Sequence, residues 1–507
     1  MARIVGIDLG TTYSAVAIVG SLGKPELLPN REGDRITPSV VLFQGDMTLV
    51  GAMAKRSAAT SPDDVVQFVK RKMGDETWKF STSDGRTFGA EQISAIILKR
   101  LKEDAELLLG EPVTDAVITV PAYFDDARRK ATQDAGTMAG LNVRRVLNEP
   151  TAAALAYGLD SQASGTLLVY DLGGGTFDVT IMRIGDGIFD VLSTMGDREL
   201  GGFHWDNALM TFANDQVMAA GGPNLLDNDL TLAELRDKSE MLKRSLTTLT
   251  EAKIFLSVNG NMQNVTITRE QFETMTRGLL GRTEDITEQA LEDANLTWSD
   301  IDRILLVGGS TRMPMVHEMM TRLSGKTPEK GFNPDEAVAL GAAIQGHICS
   351  MDDDDSNLPV LSGARGKIEI LDVCAMGLGV IALDERHVDR NFILVQHNSK
   401  VPAFGSSDFS TVVENQKALN IRITEGDDED PRYVKIIGES NFDMPEYPKG
   451  APIRIEINFD IDGLVHAQAF DGTTNKKIGD MEIDRISNLT KSELEEAKRA
   501  IDDMEVN

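Results

Sequence analysis

Three carboxylates, Asp8, Asp171 and Asp178, flank glycine-rich turns entered by apolar runs. In "IVGIDLGTTYSAVAIV", residues 4–19, one apolar run leads into Asp8-Leu9-Gly10-Thr11-Thr12 and another leaves it. "LLVYDLGGGTFDVTIM", residues 167–182, repeats the plan with Asp171, Gly173-Gly174-Gly175, Thr176 and Asp178. Glycines present backbone N–H groups with no side chain in the way, and successive N–H groups form an anion-binding concavity. The carboxylates repel a bare phosphate, but suit a hydrated divalent cation lying between them and phosphate oxygens. The two turns therefore predict a nucleotide–metal site. Backbone holds phosphate; Asp8, Asp171 and Asp178 hold metal and water; the hydroxyls of Thr11, Thr12 and Thr176 meet oxygens. A tight hairpin with surface aspartates explains a single such turn. Two copies, each after a buried strand, are harder to explain that way. A P-loop is excluded: Gly23-Lys24 lacks the earlier glycine, and Pro25 stands where Ser or Thr is needed.

The elements that must position these turns come in two textures. Up to about residue 350, strand-like runs ("RIVGIDLG", "DAVITVPA", "TLLVYDLG", "RILLVGGS") alternate with helix-like stretches ("SAIILKRLKEDAELLL", "DDARRKATQDAGTMAG", "LRDKSEMLKRSLTTL"). That alternation predicts an α/β domain with largely buried sheets. "CSMDDDDSNLPVLSGARG" reads as an exposed linker or loop. From about 372 to 486 the pattern has period two, with Asp462-Gly463 as a hairpin turn, so a separate all-β domain is expected. At the end, Thr490 and Glu493 form a capping box, and Leu494, Ala497, Ile501 and Met504 recur at helical spacing.

The 507 residues are too many for one ordinary domain, and 41% hydrophobic content supports a sizeable core. A net charge of −29 argues against nucleic acid or an anionic membrane as partner. Two cysteines, Cys349 and Cys374, exclude a disulfide scaffold and suit a reducing compartment. No signal peptide and no membrane-spanning run are read, so a cytoplasmic protein is expected. The six histidines show no metal-ligand spacing, and His387 and His397 stand apart.

Taken together the segments resemble the seventy-kilodalton heat-shock chaperone family (DnaK-like), and the wording, including "KRKMGDETWKF", resembles its short bacterial HscC branch. "VGIDLGTTYS" resembles the first phosphate segment and "DLGGGTFDVT" the second. "VITVPAYFDDARRKATQDAGTMAGL", "LNEPTAAALAYGLD" and "NPDEAVALGAAIQ" resemble the connecting helices, and "VGGSTRMPMV" the adenosine segment. The resemblance implies an actin-like, duplicated ribonuclease-H-like ATPase domain over residues 1–362. A linker (363–373), a β-sandwich peptide-binding domain (374–488) and the short or truncated start of a helical lid (489–507) follow.

Carried over position by position, it implies that Lys70 positions the attacking water, Glu149 helps hold the metal's water shell, and Thr176 touches the γ-phosphate. Gly10, Thr11, Thr12, Tyr13, Gly173, Gly174, Gly175, Gly201 and Gly202 surround the phosphates. Glu240, Lys243, Arg244 and Thr247 meet base and ribose, opposite Gly308, Gly309, Ser310, Arg312 and Asp335. Without the family, Lys70 reads as a solvated helix lysine. Pro121, Arg129 and Asp372 resemble the relay between domains, and Val380, Phe409, Val412, Leu419 and Ile421 a peptide pocket.

The implied function is an ATP-dependent chaperone with slow basal hydrolysis. It would use ATP/ADP, Mg2+ and additionally K+, with extended hydrophobic client peptides, a J-domain co-chaperone and a GrpE-like exchange factor as partners. Three departures stand out: Glu369 interrupts the leucine-rich linker pattern, Phe203-His204 replaces two acids, and the loop in "IALDERHVDRNFILVQHNSKVP" is long and charged. A sugar kinase or an actin-like filament protein shares the hairpins but gives the β-domain no role.

Overall fold

The computed structural model describes residues 4–161, 164–258, 261–331, 333–352, 361–362, 367–460, 465–483 and 489–507. The acidic run from 353 onward and the Asp462-Gly463 turn lie outside the described residues.

Two sheets built to one plan form the α/β part. In lobe I the strand order is Asn142–Asn148, Asp115–Val120, Ile4–Asp8, Tyr13–Val19, Pro25–Leu28. In lobe II it is Arg303–Val307, Gly165–Leu172, Phe177–Gly185, Ile188–Asp197, Glu369–Leu371. Each sheet carries an antiparallel hairpin, Ile4–Val19 or Gly165–Gly185, whose first strand also pairs in parallel with a later one. Parallel pairing needs a helical crossover, and buries the strands on both faces. Val5, Ile7, Leu168, Val169 and Tyr170 are accordingly sealed in the core.

Two helices join the lobes behind the hairpins. Ala337–Asp352 packs on lobe I strands and against Glu149–Ser161, which packs on the lobe II hairpin. The crossing is close because Gly341 faces Ala152: a Cβ at Gly341 would run into the Ala152 backbone. Two four-stranded antiparallel sheets then form the sandwich, with Ile421, Ile423, Ile455 and Ile457 in its core.

The linker joins the lobe II sheet as an edge strand, pairing Ile188 with Glu369 and Asp190 with Leu371. Its alternation explains why Glu369 is accommodated. Ile368 and Ile370 pack against the lobe II core while Glu369 points to solvent.

The final helix, Lys491–Asp502, forms with its Thr490–Glu493 capping box. It does not lie over the sandwich, as the start of a lid was expected to. Ala497, Ile501 and Val506 are buried in the lobe I core, and the Lys99 Nζ donates to the carbonyls of Ile501, Asp502 and Met504 at 2.8, 3.0 and 2.7 Å. A cation at a helix C-terminus satisfies carbonyls that the helix leaves unpaired. Beyond the helix the chain pairs with lobe I: Val50 N–H donates to Asn507 O at 2.8 Å, and Asn507 N–H to Thr48 O at 2.9 Å.

Candidate functional site: a two-walled nucleotide cleft

The two glycine hairpins meet. A methyl added to Gly174 would lie 2.6 Å from the Thr12 methyl, and one added to Gly175 would lie 2.7 Å from that of Thr11. Between the lobes they border a cleft of about 540 Å³, a size that takes a small-molecule ligand.

Twenty residues expected from the sequence line it. At the hairpin end are Asp8, Gly10, Thr11, Thr12, Tyr13, Lys70, Glu149, Asp171, Gly173, Gly174 and Thr176. At the other end are Glu240, Lys243, Arg244 and Thr247 on one wall, with Gly308, Gly309, Ser310, Arg312 and Asp335 opposite. Gly175, Gly201, Gly202 and Asp178 do not reach the lining. The two Gly201-Gly202 positions back the second hairpin, with Gly202 N–H donating to Gly173 O at 2.9 Å.

The electrostatics explain the choice of residues. Hairpin register sets Asp171 directly across from Asp178, and like charges opposite each other on adjacent strands destabilise a sheet. Both are buried. Burial, then Glu149, pushes Asp8 and Asp178 up to about 7, and the same causes hold Asp171 well above the carboxylate range. Lys70, 4% exposed, pairs with Glu149, 8% exposed, so it is a buried cation and not a solvated lysine. One lysine does not balance four carboxylates. No three His, Cys, Asp or Glu side chains among the described residues are grouped to ligate a metal directly. That donor set fits Mg2+ held through its water shell, since Mg2+ gives up its waters reluctantly.

The end of the cleft away from the hairpins is built from pairs. Lys243 Nζ lies 2.9 Å from Asp206 Oδ2, Lys55 Nζ 2.6 Å from Glu240 Oε2, and Arg312 Nη2 2.6 Å from Asp335 Oδ2. Gly308 has φ of +81°, and a Cβ there would meet Leu172 O at 2.5 Å, so its turn needs glycine. Lys55 and Asp206 were missed from the sequence. So was Phe68; it lines the cleft from the lobe opposite Phe203, which the sequence marked only as a departure.

A run of hydrogen bonds leads from cleft to linker. Tyr123 N–H donates to Asp178 Oδ1 at 2.9 Å. The neighbouring carbonyls Ala122 O and Phe124 O accept from Arg129 at 2.9 and 3.1 Å. Arg129 Nη2 also donates to Asn148 Oδ1 at 2.7 Å, and Asn148 Nδ2 to Asp372 Oδ2 at 3.0 Å. Arg129 and Asp372 were expected in this role, and Asn148 was not. Pro121 sits at the turn, its carbonyl accepting from Phe124 N–H at 3.1 Å.

The sandwich is seated on both lobes, since the helix Asp126–Met138, expected to be among the connecting helices, packs in the lobe I core through Ala131, Ala135 and Met138. Thr194 N–H donates to Asn398 Oδ1 at 2.9 Å, Lys400 pairs with Asp190, and Asp126 N–H reaches Glu425 at 3.3 Å. His397, read from the sequence as unremarkable, bridges Asp293 of the α/β part and Asp427 of the sandwich at 3.3 and 3.2 Å.

The five expected pocket residues do not share one surface. Val380 and Ile421, each 1% exposed, belong to the sandwich core. Phe409 and Leu419 pack partly against that core, while Val412 is 40% exposed. Period-two apolar residues fill a core first, which is why the pattern alone does not separate groove from interior.

Duplicated sheets facing across a glycine-hairpin cleft, with a β-sandwich attached, define an actin-like nucleotide-binding protein carrying a second, all-β domain. The family model described as Hsp70 protein matches residues 4–507, and the chain belongs to the Hsp70 family. Membership makes it an ATP-dependent chaperone with an ATPase domain; the family binds ATP and ADP with Mg2+, client peptides and J-domain partners.

Proposed function

We propose that this chain hydrolyses ATP slowly in the two-walled cleft, and that the nucleotide state sets how tightly the sandwich holds an extended apolar peptide. In this reading Lys70, fixed by Glu149, orients the attacking water. Thr176 and the N–H groups of both hairpins take the phosphate oxygens, and Asp8, Asp171 and Asp178 hold the water shell of Mg2+. The cation supplies charge neutralisation, on which phosphoryl transfer depends more than on covalent help. The cleft offers no added arginine finger among the residues assigned to it, which suits a slow timer. K+ is a further ion for the phosphate end.

What carries the reading is the hydrogen-bonded run from Asp178 through Arg129 and Asn148 to Asp372. It joins the metal-side carboxylates to the strand that leads into the sandwich. Peptide would lie extended along the sandwich, held by main-chain hydrogen bonds with Val412, Phe409 and Leu419 at its edge. A J-domain protein would raise turnover and a GrpE-like factor would assist exchange. The HscC-type branch and a bacterial cytoplasm are the setting that the wording and the two free cysteines favour. The test is release of a fluorescent apolar peptide followed by anisotropy. Release should be faster with ATP than with ADP; equal rates overturn the coupling.

A further inference from the structure

The cleft has a closure that its hydrogen bonds do not describe. Phe68, in lobe I, and Phe203, in lobe II, meet edge-on with ring centroids 5.1 Å apart and planes at 67°. Both line the nucleotide cleft. Phe203 is pinned by its own N–H, which donates to Gly174 O on the second hairpin at 2.8 Å. Phe68 is held at φ of +58°, a strained conformation for a bulky residue, immediately before the short helix Val69–Lys72 that carries Lys70.

Two arginines bracket the rings. The Arg71 guanidinium lies 4.4 Å from the Phe203 centroid, and Arg236 lies 5.7 Å from Phe203 and 6.0 Å from Phe68. Among the described residues neither side chain has an ion pair or hydrogen bond, and both Nε atoms are buried without an acceptor. Both arginines are half-buried; Glu199 lies near Arg71 and Asp206 near Arg236 without a hydrogen bond to either, and the aromatic faces supply the close contact to their guanidinium groups. The Arg71 stem passes the second hairpin, its Cγ 3.1 Å from where a Cβ on Gly175 would be. The pair Phe203-His204 stands where the resemblance led us to expect two acids. Here the arginines meet an aromatic face at that position.

We propose that Phe68, Phe203, Arg71 and Arg236 form a clasp between the two lobes at the phosphate end, and that it sets how fast the cleft opens to release ADP. The inference rests on the nucleotide reading above. The rings are positioning residues: they hold the walls together beside the hairpins. Since the rings meet through faces and edges rather than formal charge pairs, ADP release should depend little on salt, unlike a clasp of exposed ion pairs.

The test is stopped-flow release of a fluorescent ADP analogue from the full chain. Phe203→Ala and Phe68→Ala should each speed release by roughly tenfold, the scale of one or two cation–π contacts. Phe203→Tyr keeps the π face and should release like the unsubstituted chain. Phe203→Leu keeps apolar bulk without the face and should release like Phe203→Ala. Combining Phe203→Ala with Arg71→Ala should add little to either change alone. Release at the unsubstituted rate in both alanine variants, or equal rates for Leu and Tyr, overturns the clasp. Failure of the unsubstituted chain to bind the analogue at all would instead overturn the nucleotide site.

Discussion

The nucleotide cleft and the expected peptide pocket were both inferred from scattered residues, yet only one of them gathers in space. Twenty of the residues assigned to nucleotide line one cavity. The five assigned to peptide divide between a sealed core and an open edge. The difference lies in what each residue type can do elsewhere. A buried aspartate beside glycines has few structural reasons to exist, because an unpaired buried charge is expensive. A valine or isoleucine at period two has an ordinary reason, which is to fill a sandwich.

The contrast can be broken most strongly at Lys70. Lys70→Ala should lower single-turnover ATP hydrolysis by roughly 10²- to 10³-fold, the scale of removing one preorganised charge-stabilising group, while nucleotide still binds. Unchanged turnover would take away the lysine's role.

In the sandwich, Ile421→Ala should cost about 2–5 kcal/mol of stability as a cavity in a closed core. Val412→Ala should stay within about 0.5 kcal/mol on the same melting curve, as exposed positions do, but weaken peptide binding several-fold. If the two substitutions destabilise the domain equally, the division into core and edge is wrong.

Gly308→Ala should weaken ATP binding by an amount set by about 1–3 kcal/mol of backbone strain, since the added methyl meets Leu172 O. Isothermal titration would read this directly, and an undiminished affinity would remove the turn from the site.

The smallest effect is expected at the seam between the two regions. His397, hydrogen-bonded to Asp427 and facing Asp293, is raised to about 9, and Glu425, buried against Asp125 and Asp126 with Lys435 near, is raised to about 8. The Glu425 shift, caused by burial and by Asp125 and Asp126 across the seam, means that the docked state binds more protons than the separated one, whereas most of the His397 shift comes from Asp427 of its own domain. Docking is therefore favoured below the glutamate's ordinary value, near 4.5, and that contribution is lost as pH rises through about 8. Energy transfer between labels on the two domains should fall across that window, and a flat profile would show that Glu425 is not linked to docking.

Much of the fold was legible because periodicity and turn chemistry are local. The hairpins, the connecting helices, the sandwich strands and the capped final helix all announce themselves within a dozen residues. The unseen features depend on chain segments far apart in sequence. Lys55 meets Glu240, Phe68 meets Phe203, and Asn148 meets Asp372, and no spacing encodes those approaches. The final helix shows both sides of this. Leu494, Ala497 and Ile501 declare an apolar stripe, but only the folded chain shows that lobe I covers it.

Residues 503–507 return to pair with strand Met47–Val50, so the sandwich is a loop spliced into the α/β part and moored at two points. One mooring is the linker strand. The other is the final helix, Lys491–Asp502, whose Ala497 and Ile501 are buried in the lobe I core. A domain held at both ends leaves its seat at the entropy cost of a closed loop and not at that of a free end. Freeing the second end means breaking the three hydrogen bonds of Lys99 and exposing Ala497, Ile501 and Val506 to water.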